Sequence, residues 1–160
     1  MKNINDLAAL VGSTLRSKGL LLATAESCTG GGVATAMTDI AGSSDWFDCG
    51  FVTYSNASKT ELLNVSAAEI AQHGAVSEEV AGAMAEGALA NSNAHIVLST
   101  TGIAGPGGAV PGKPVGTICF GWAMHGHATR TERLVFAGDR HAVRQQSIVH
   151  ALEGVLKLLA

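Results

Sequence analysis

Apolar residues return every three or four positions at the start of the chain, at Ile4, Leu7, Leu10, Val11 and Leu15. That spacing predicts an amphipathic helix, which Gly19 ends. Leu20–Ala25 is a short apolar run and predicts a buried strand. Thr29-Gly30-Gly31 then leads into a helix over Val33–Ile40, stopped by Gly42. Phe51–Ser55 reads as a second strand, and Asn56 directly after it suits the N-cap of a helix running through Leu63. Ser66-Ala67-Ala68-Glu69 fits a capping box opening another short helix. Ser77 starts a longer helix to Ala90, with Glu78 and Glu79 at the positive end of its dipole. Its alanines and glycines predict close packing against a flat surface.

His95–Ile103 is a third strand, and it runs into Ala104–Pro114, a glycine- and proline-rich loop. Val115–Met124 and Arg130–Phe136 predict a hairpin around His125-Gly126-His127. Asp139 caps a last helix whose Val143, Ile148, Ala151, Leu152, Val155 and Leu159 form one stripe. Strands alternating with helices, plus one late hairpin, predict an α/β fold. The expected form is a three-layer α/β/α sandwich with a mixed, mostly parallel sheet. No linker, repeat or biased tract divides the chain, so residues 1–160 read as one domain. In such sheets ligands bind where loops leave the carboxyl ends of strands. Glu26–Gly31, Tyr54–Lys59 and Gly102–Pro114 all fall at such ends.

Composition narrows the partners. The 160 residues are 47% hydrophobic and 14% charged, with a net charge of −3, which gives no general attraction for nucleic acid or anionic lipid. Aromatics at 4% leave little for base stacking. No apolar stretch approaches the ~20 residues of a membrane span, and the first residues lack a signal-peptide pattern. A cytoplasmic location follows by default. Three cysteines, an odd number, favour free thiols. The histidines are scattered without matching ligands, so no metal site and no cofactor is expected.

A serine in Thr24-Ala25-Glu26-Ser27-Cys28-Thr29-Gly30-Gly31 stands at a strand-to-helix turn, where unpaired backbone N–H groups face the cleft. Ser27 there is either a nucleophile beside oxyanion donors or a plain cap beside packing glycines. No Gly-Lys-Ser/Thr follows, so this is not a P-loop. With Asn56 as N-cap, Lys59 is the third helical residue, where a cation opposes the dipole. The same field favours the neutral amine that a lysine base needs. A solvated lysine is the plainer alternative. Tyr54, the only tyrosine, offers a hydroxyl at a strand end. Thr101-Gly102-Ile103-Ala104-Gly105-Pro106-Gly107-Gly108 can wrap a ligand with backbone amides or simply connect two strands. Arg140 and Arg144, one turn apart at a helix start, suit either a bound phosphate or a surface network with Asp139.

Together TAESCTGG, GSSDWFDCGFVTYSNASK, HGAVSEEVA, STTGIAGPGG…KPVGT and FAGDRHAVR resemble the successive motifs of the CinA C-terminal domain family, from roughly Leu7 to Leu156. Many relatives carry an extra N-terminal domain, so this chain resembles the stand-alone form. The resemblance implies hydrolysis of nicotinamide mononucleotide to nicotinate mononucleotide and ammonia, a salvage step, by a homodimer. It places the family's serine at Ser27, its tyrosine at Tyr54 and its lysine at Lys59.

The mechanism expected from both readings has neutral Lys59 activating Ser27, Tyr54 helping, and amides at the start of the Gly30-Gly31 helix holding the oxyanion. Cys28, Thr29, Gly30, Gly31, Thr101, Gly105, Gly107, Gly108, Arg140 and Arg144 are the expected substrate contacts, the two arginines for the phosphate. Two other readings compete. A short-chain dehydrogenase spaces its tyrosine and lysine four apart on one helix, against five here. A non-catalytic nucleotide-sensing module is the stronger rival.

Overall fold

The computed structural model describes residues 3–160. The strands are β1 (Leu22–Glu26), β2 (Phe47–Val52), β3 (Ile96–Gly102), β4 (Thr117–Met124) and β5 (Arg130–Val135). They form one sheet in the order β2-β1-β3-β4-β5. β1 runs parallel to β2 and β3, whereas β4 is antiparallel to both its neighbours. The sheet is therefore mixed with one reversed strand, as expected. The helices are α1 (Ile4–Lys18), α2 (Gly32–Thr38), α3 (Asn56–Leu63), α4 (Ala67–His73), α5 (Glu78–Ala90) and α6 (Arg140–Leu159).

Strand residues alternate between two cores, as the period of two requires. Leu22, Ile96, Leu98, Ile118, Phe120 and Trp122 pack with apolar residues of α1, α2 and α6. Ala23, Ala25, Val97 and Ala123 face the other way, against residues of α3, α4 and α5. The second face is lined by small residues, and α5 sits close upon it. The Ser99 hydroxyl donates to the Ala81 carbonyl of α5 at 2.6 Å. A Cβ on Gly121 would come within 2.6 Å of the same oxygen. The close packing predicted for the Ala/Gly-rich helix is present, and it depends on both surfaces being flat.

Several boundaries shift by one or two residues from the sequence reading, and two differences bear on the site. β2 starts at Phe47 and ends at Val52, so it begins four residues before the predicted strand. Asp48, Cys49 and Gly50 interrupt the apolar pattern there. Gly50 is nevertheless demanded by the strand, because a Cβ would lie 2.8 Å from Thr24 Oγ1 on β1. The N-cap of α3 is Ser55, not Asn56: its Oγ accepts from the Ser58 amide at 3.1 Å. Lys59 is thus the fourth helical residue, and its amide closes the first turn on Ser55 O at 3.3 Å.

β1 lies between β2 and β3, so the loops leaving their carboxyl ends are neighbours. Ser27 follows β1, Thr53 and Tyr54 follow β2, and Ile103–Gly108 follow β3.

Candidate active site

Ser27 is placed by the last rung of the sheet. Its amide donates to Thr100 O at 2.9 Å, while its own carbonyl accepts from the Gly30 amide at 3.0 Å. The chain thus turns sharply at once. Gly30 and Gly31 complete the reversal with φ of 59° and 94°, the left-handed region where glycine carries no Cβ penalty.

Glu26, the last residue of β1, anchors this turn from beneath. It is fully buried, and its carboxylate accepts four hydrogen bonds. Oε1 takes Thr29 Oγ1 at 2.6 Å and the Val33 amide at 2.9 Å. Oε2 takes Thr24 Oγ1 at 3.1 Å and the Ala34 amide at 3.0 Å. Thr29 Oγ1 also lies 2.8 Å from Thr100 Oγ1 on β3. This corrects one expectation. Of the α2 amides expected to face an oxyanion, Val33 and Ala34 are held by the Glu26 carboxylate and Gly32 donates to Thr29 O at 2.9 Å.

Lys59 is buried to 1% exposure, which sets aside the solvated alternative. Its Nζ donates to Ser27 Oγ at 3.1 Å, to Thr53 O at 2.9 Å and to Tyr54 O at 3.1 Å. Among the described residues no carboxylate lies within ion-pair distance of it. Burial without a counter-ion penalises the ammonium and lowers the pKa below the ordinary lysine value of 10.5. The acceptor set suits both protonation states. An ammonium has three protons for three acceptors, and a neutral amine keeps two for the carbonyls and turns its lone pair to Ser27.

Tyr54 contributes through two different atoms. Its carbonyl serves Lys59 and also accepts from Ser27 Oγ at 3.4 Å. Its side chain is 63% exposed, and its hydroxyl accepts from Arg140 Nη2 at 3.3 Å. Arg140 Nη1 donates to Gly105 O at 2.8 Å, so the guanidinium bridges the second and third loops. Beneath that bridge is a cavity of about 200 Å³ lined by Cys28, Tyr54, Gly102–Gly105, Gly107, Gly108 and Arg140.

Of the other expected contacts, Gly105, Gly107, Gly108, Cys28 and Arg140 line this cavity, whereas Thr29, Gly30, Gly31, Thr101 and Arg144 do not. Thr101 Oγ1 donates to Ala75 O at 2.8 Å and ties β3 to the segment before α5. Arg144 Nε donates to Cys28 O at 3.1 Å and Nη2 to Thr29 O at 3.0 Å. The two arginines therefore diverge, Arg140 to Gly105 O and the Tyr54 hydroxyl, Arg144 to the turn after Ser27. Burial pushes the Cys28 thiol up to about 12, so it stays protonated beside the serine. Among the described residues no group of three His, Cys, Asp or Glu is placed to hold a metal ion. Glu26, Thr53 and Thr100 were missed from sequence. An acidic residue at the end of an otherwise apolar strand was the one available signal, since a buried carboxylate needs partners.

The family model for the CinA C-terminal domain matches residues 4–159. The chain is 50% identical to a nicotinamide-nucleotide amidohydrolase PncC of Enterobacter agglomerans, covering 98% of this chain and 95% of that one. It is 49% identical to a protein of the same name in Pseudomonas putida, over 99% and 98% of the two chains. The crystal structure of a competence/damage inducible protein, CihA, of Agrobacterium tumefaciens superposes with a TM-score of 0.97 at 38% identity, covering 100% of this chain and 98% of that one.

Proposed function

Because the chain belongs to the CinA C-terminal domain family, we propose that it hydrolyses the carboxamide of nicotinamide mononucleotide, with Ser27 as nucleophile and Lys59 as its base. The observation that carries this reading is the 3.1 Å contact between a buried, counter-ion-free amine and a serine hydroxyl. Relatives of about half-identical sequence are named for amide hydrolysis on nicotinamide nucleotides, which supplies the substrate class.

The steps follow from the site. Neutral Lys59 holds its two protons on Thr53 O and Tyr54 O, and its lone pair accepts the proton of Ser27. Ser27 Oγ bonds to the carboxamide carbon, and the carbonyl oxygen takes up the negative charge. The ammonium of Lys59 gives its proton to the amide nitrogen, the C–N bond breaks, and ammonia leaves. Water then attacks the ester, Lys59 takes one of its protons and returns it to Ser27 Oγ, and nicotinate mononucleotide departs.

The 200 Å³ cavity is below the roughly 300–1,000 Å³ of a drug-sized pocket. It takes the ring, while ribose and phosphate extend past Arg140, whose remaining donors face outward. The Tyr54 hydroxyl, having accepted from Arg140, keeps its own proton for a substrate oxygen. The reading places the enzyme in pyridine nucleotide salvage, as the cytoplasmic homodimer expected above.

Ammonia release from nicotinamide mononucleotide tests it. Ser27→Ala abolishes release, and Lys59→Ala lowers it by about 10²–10⁴, the usual worth of a general base. Release by Lys59→Ala within a few-fold of the unsubstituted protein contradicts the mechanism. Tight binding with no turnover favours a sensing module instead.

A further inference from the structure

We propose that Lys113 is a positioning residue for substrate binding, which from outside the cavity fixes the wall that Gly107 and Gly108 form. This rests on the amidase reading above for one point, that the pyridine ring sits in that cavity.

The wall has little means of holding itself. Gly107 and Gly108 line the cavity, in a loop where Gly105, Gly107, Gly108 and Gly112 leave the backbone its greatest freedom. Among the described residues no backbone–backbone hydrogen bond is made by Ala104 to Ala109. Ordering such a stretch costs conformational entropy at every residue, so its position is set from its two ends.

One end is the Arg140 bond to Gly105 O at 2.8 Å. The other end is a clip built around Lys113. The Val110 amide donates to Lys113 O at 3.1 Å and the Lys113 amide to Val110 O at 2.9 Å, which closes a tight turn. From this turn Lys113 Nζ donates to His73 O at 2.7 Å. His73 is the last residue of α4, so its carbonyl is one the helix leaves unbonded, and a cation there suits the helix dipole. Gly74 makes room for the amine, since a Cβ on it would lie 3.0 Å from Nζ. Arg133 of β5 also donates to Gly112 O, but in an exposed position where water competes for both groups. The part-buried Lys113 contact is the firmer of the two.

The segment that receives Lys113 is itself fastened. Thr101 Oγ1 on β3 donates to Ala75 O at 2.8 Å, and Ser77 Oγ to Gly74 O at 2.8 Å. The loop leaves β3 and is tied by Lys113 to a segment bonded to β3, so the two ends of the wall share one frame. The HGAVS and KPVGT segments, which take no part in the serine–lysine pair, meet at this contact. Lys113 does not line the cavity and its amine is engaged by a carbonyl. Its loss therefore loosens the wall and leaves Ser27 and Lys59 in place.

The test compares Lys113→Met, which keeps the apolar stem without the donor, and Lys113→Arg, which keeps a donor for His73 O, with the unsubstituted protein. In 15N relaxation of the free protein, the Gly107 and Gly108 amides of Lys113→Met fall from order parameters of about 0.85 to below about 0.6. The amides of Ser27 and Lys59 do not change. KM of Lys113→Met rises about tenfold on both nicotinamide mononucleotide and its riboside, as for a wall in place a tenth of the time. Its kcat, and labelling of Ser27 by a fluorophosphonate, stay within about threefold, and Lys113→Arg restores both KM and the glycine order. Gly107 and Gly108 as ordered in Lys113→Met as in the parent overturn the proposal. So does a lowered Tm with unchanged KM, which is a structural role alone, and so does a raised KM confined to the phosphorylated substrate, which is a phosphate contact. A parent that releases no ammonia removes the amidase reading alone, and the order of the two glycines still decides whether Lys113 holds the wall.

Discussion

Replacing Glu26 by Gln removes one oxygen from the most densely bonded carboxylate near the site. Each oxygen of Glu26 accepts one backbone amide and one threonine hydroxyl, at 2.6–3.1 Å. The Gln side chain offers a single carbonyl oxygen and an NH2 group, so whichever way it lies one of the α2 amides faces a donor. The threonine hydroxyl on that side can rotate and donate elsewhere, but the amide of Val33 or Ala34 cannot. Leaving one buried donor unsatisfied costs about 1–3 kcal/mol, and losing the charge from the remaining bonds weakens them further. Relief of carboxylate desolvation offsets part of this. The sum is a destabilisation of about 3 kcal/mol, equal to a fall in Tm of about 6–12 °C for a domain of this size. Thermal unfolding followed by far-UV circular dichroism measures it, with exposed Glu61→Gln as a control expected within about 0.5 kcal/mol. A Glu26→Gln protein melting within about 2 °C of the parent refutes the view that this carboxylate organises the turn.

Two more outcomes follow from the site. In the folded protein Lys59 releases its proton at a lower pH than in the unfolded chain, where the value is about 10.5. Between those two points the unfolded chain holds more protons, so stability rises with pH across that window. Urea midpoints of the parent and Lys59→Met over the alkaline range show the rise in the parent only. Activity, which needs the neutral amine, falls on the acidic side of the same lowered pKa. Gly107 lines the cavity, has no positive φ, and a Cβ there meets no atom within 4 Å. Gly107→Ala therefore leaves Tm within about 2 °C, by the small effect usual for an unstrained site, yet raises KM for nicotinamide mononucleotide; an unchanged KM means the substrate does not approach that backbone.

Much of the fold was legible because periodicity reports burial. The stripe in α1, the stripe in α6 and the apolar runs of β1 and β3 name their partners' faces without further help. The start of β2 was hidden because its requirements are set by a neighbour: Gly50 looks like a strand breaker until Thr24 Oγ1 is found against it. Ser55 and Asn56 are both good caps, and only the extended backbone at Ser55 decides between them. Lys59 betrayed itself through a local rule it breaks, a cation near the start of a helix. What no local rule reveals is where long side chains end. Glu26 and Arg144 carry the same charges wherever they point, and their destinations depend on contacts seven and 116 residues away. For that reason the carboxylate that takes the Val33 and Ala34 amides, and the carbonyls that Arg144 grips, could not be read from the sequence.

The central claim is that Ser27 becomes acylated, and mass spectrometry of protein quenched during turnover with nicotinamide mononucleotide examines it directly. The account predicts a transient ester of nicotinate mononucleotide on the peptide containing Ser27, absent from Ser27→Ala. Steady ammonia release with no adduct on that peptide, or with the adduct on Cys28, contradicts it.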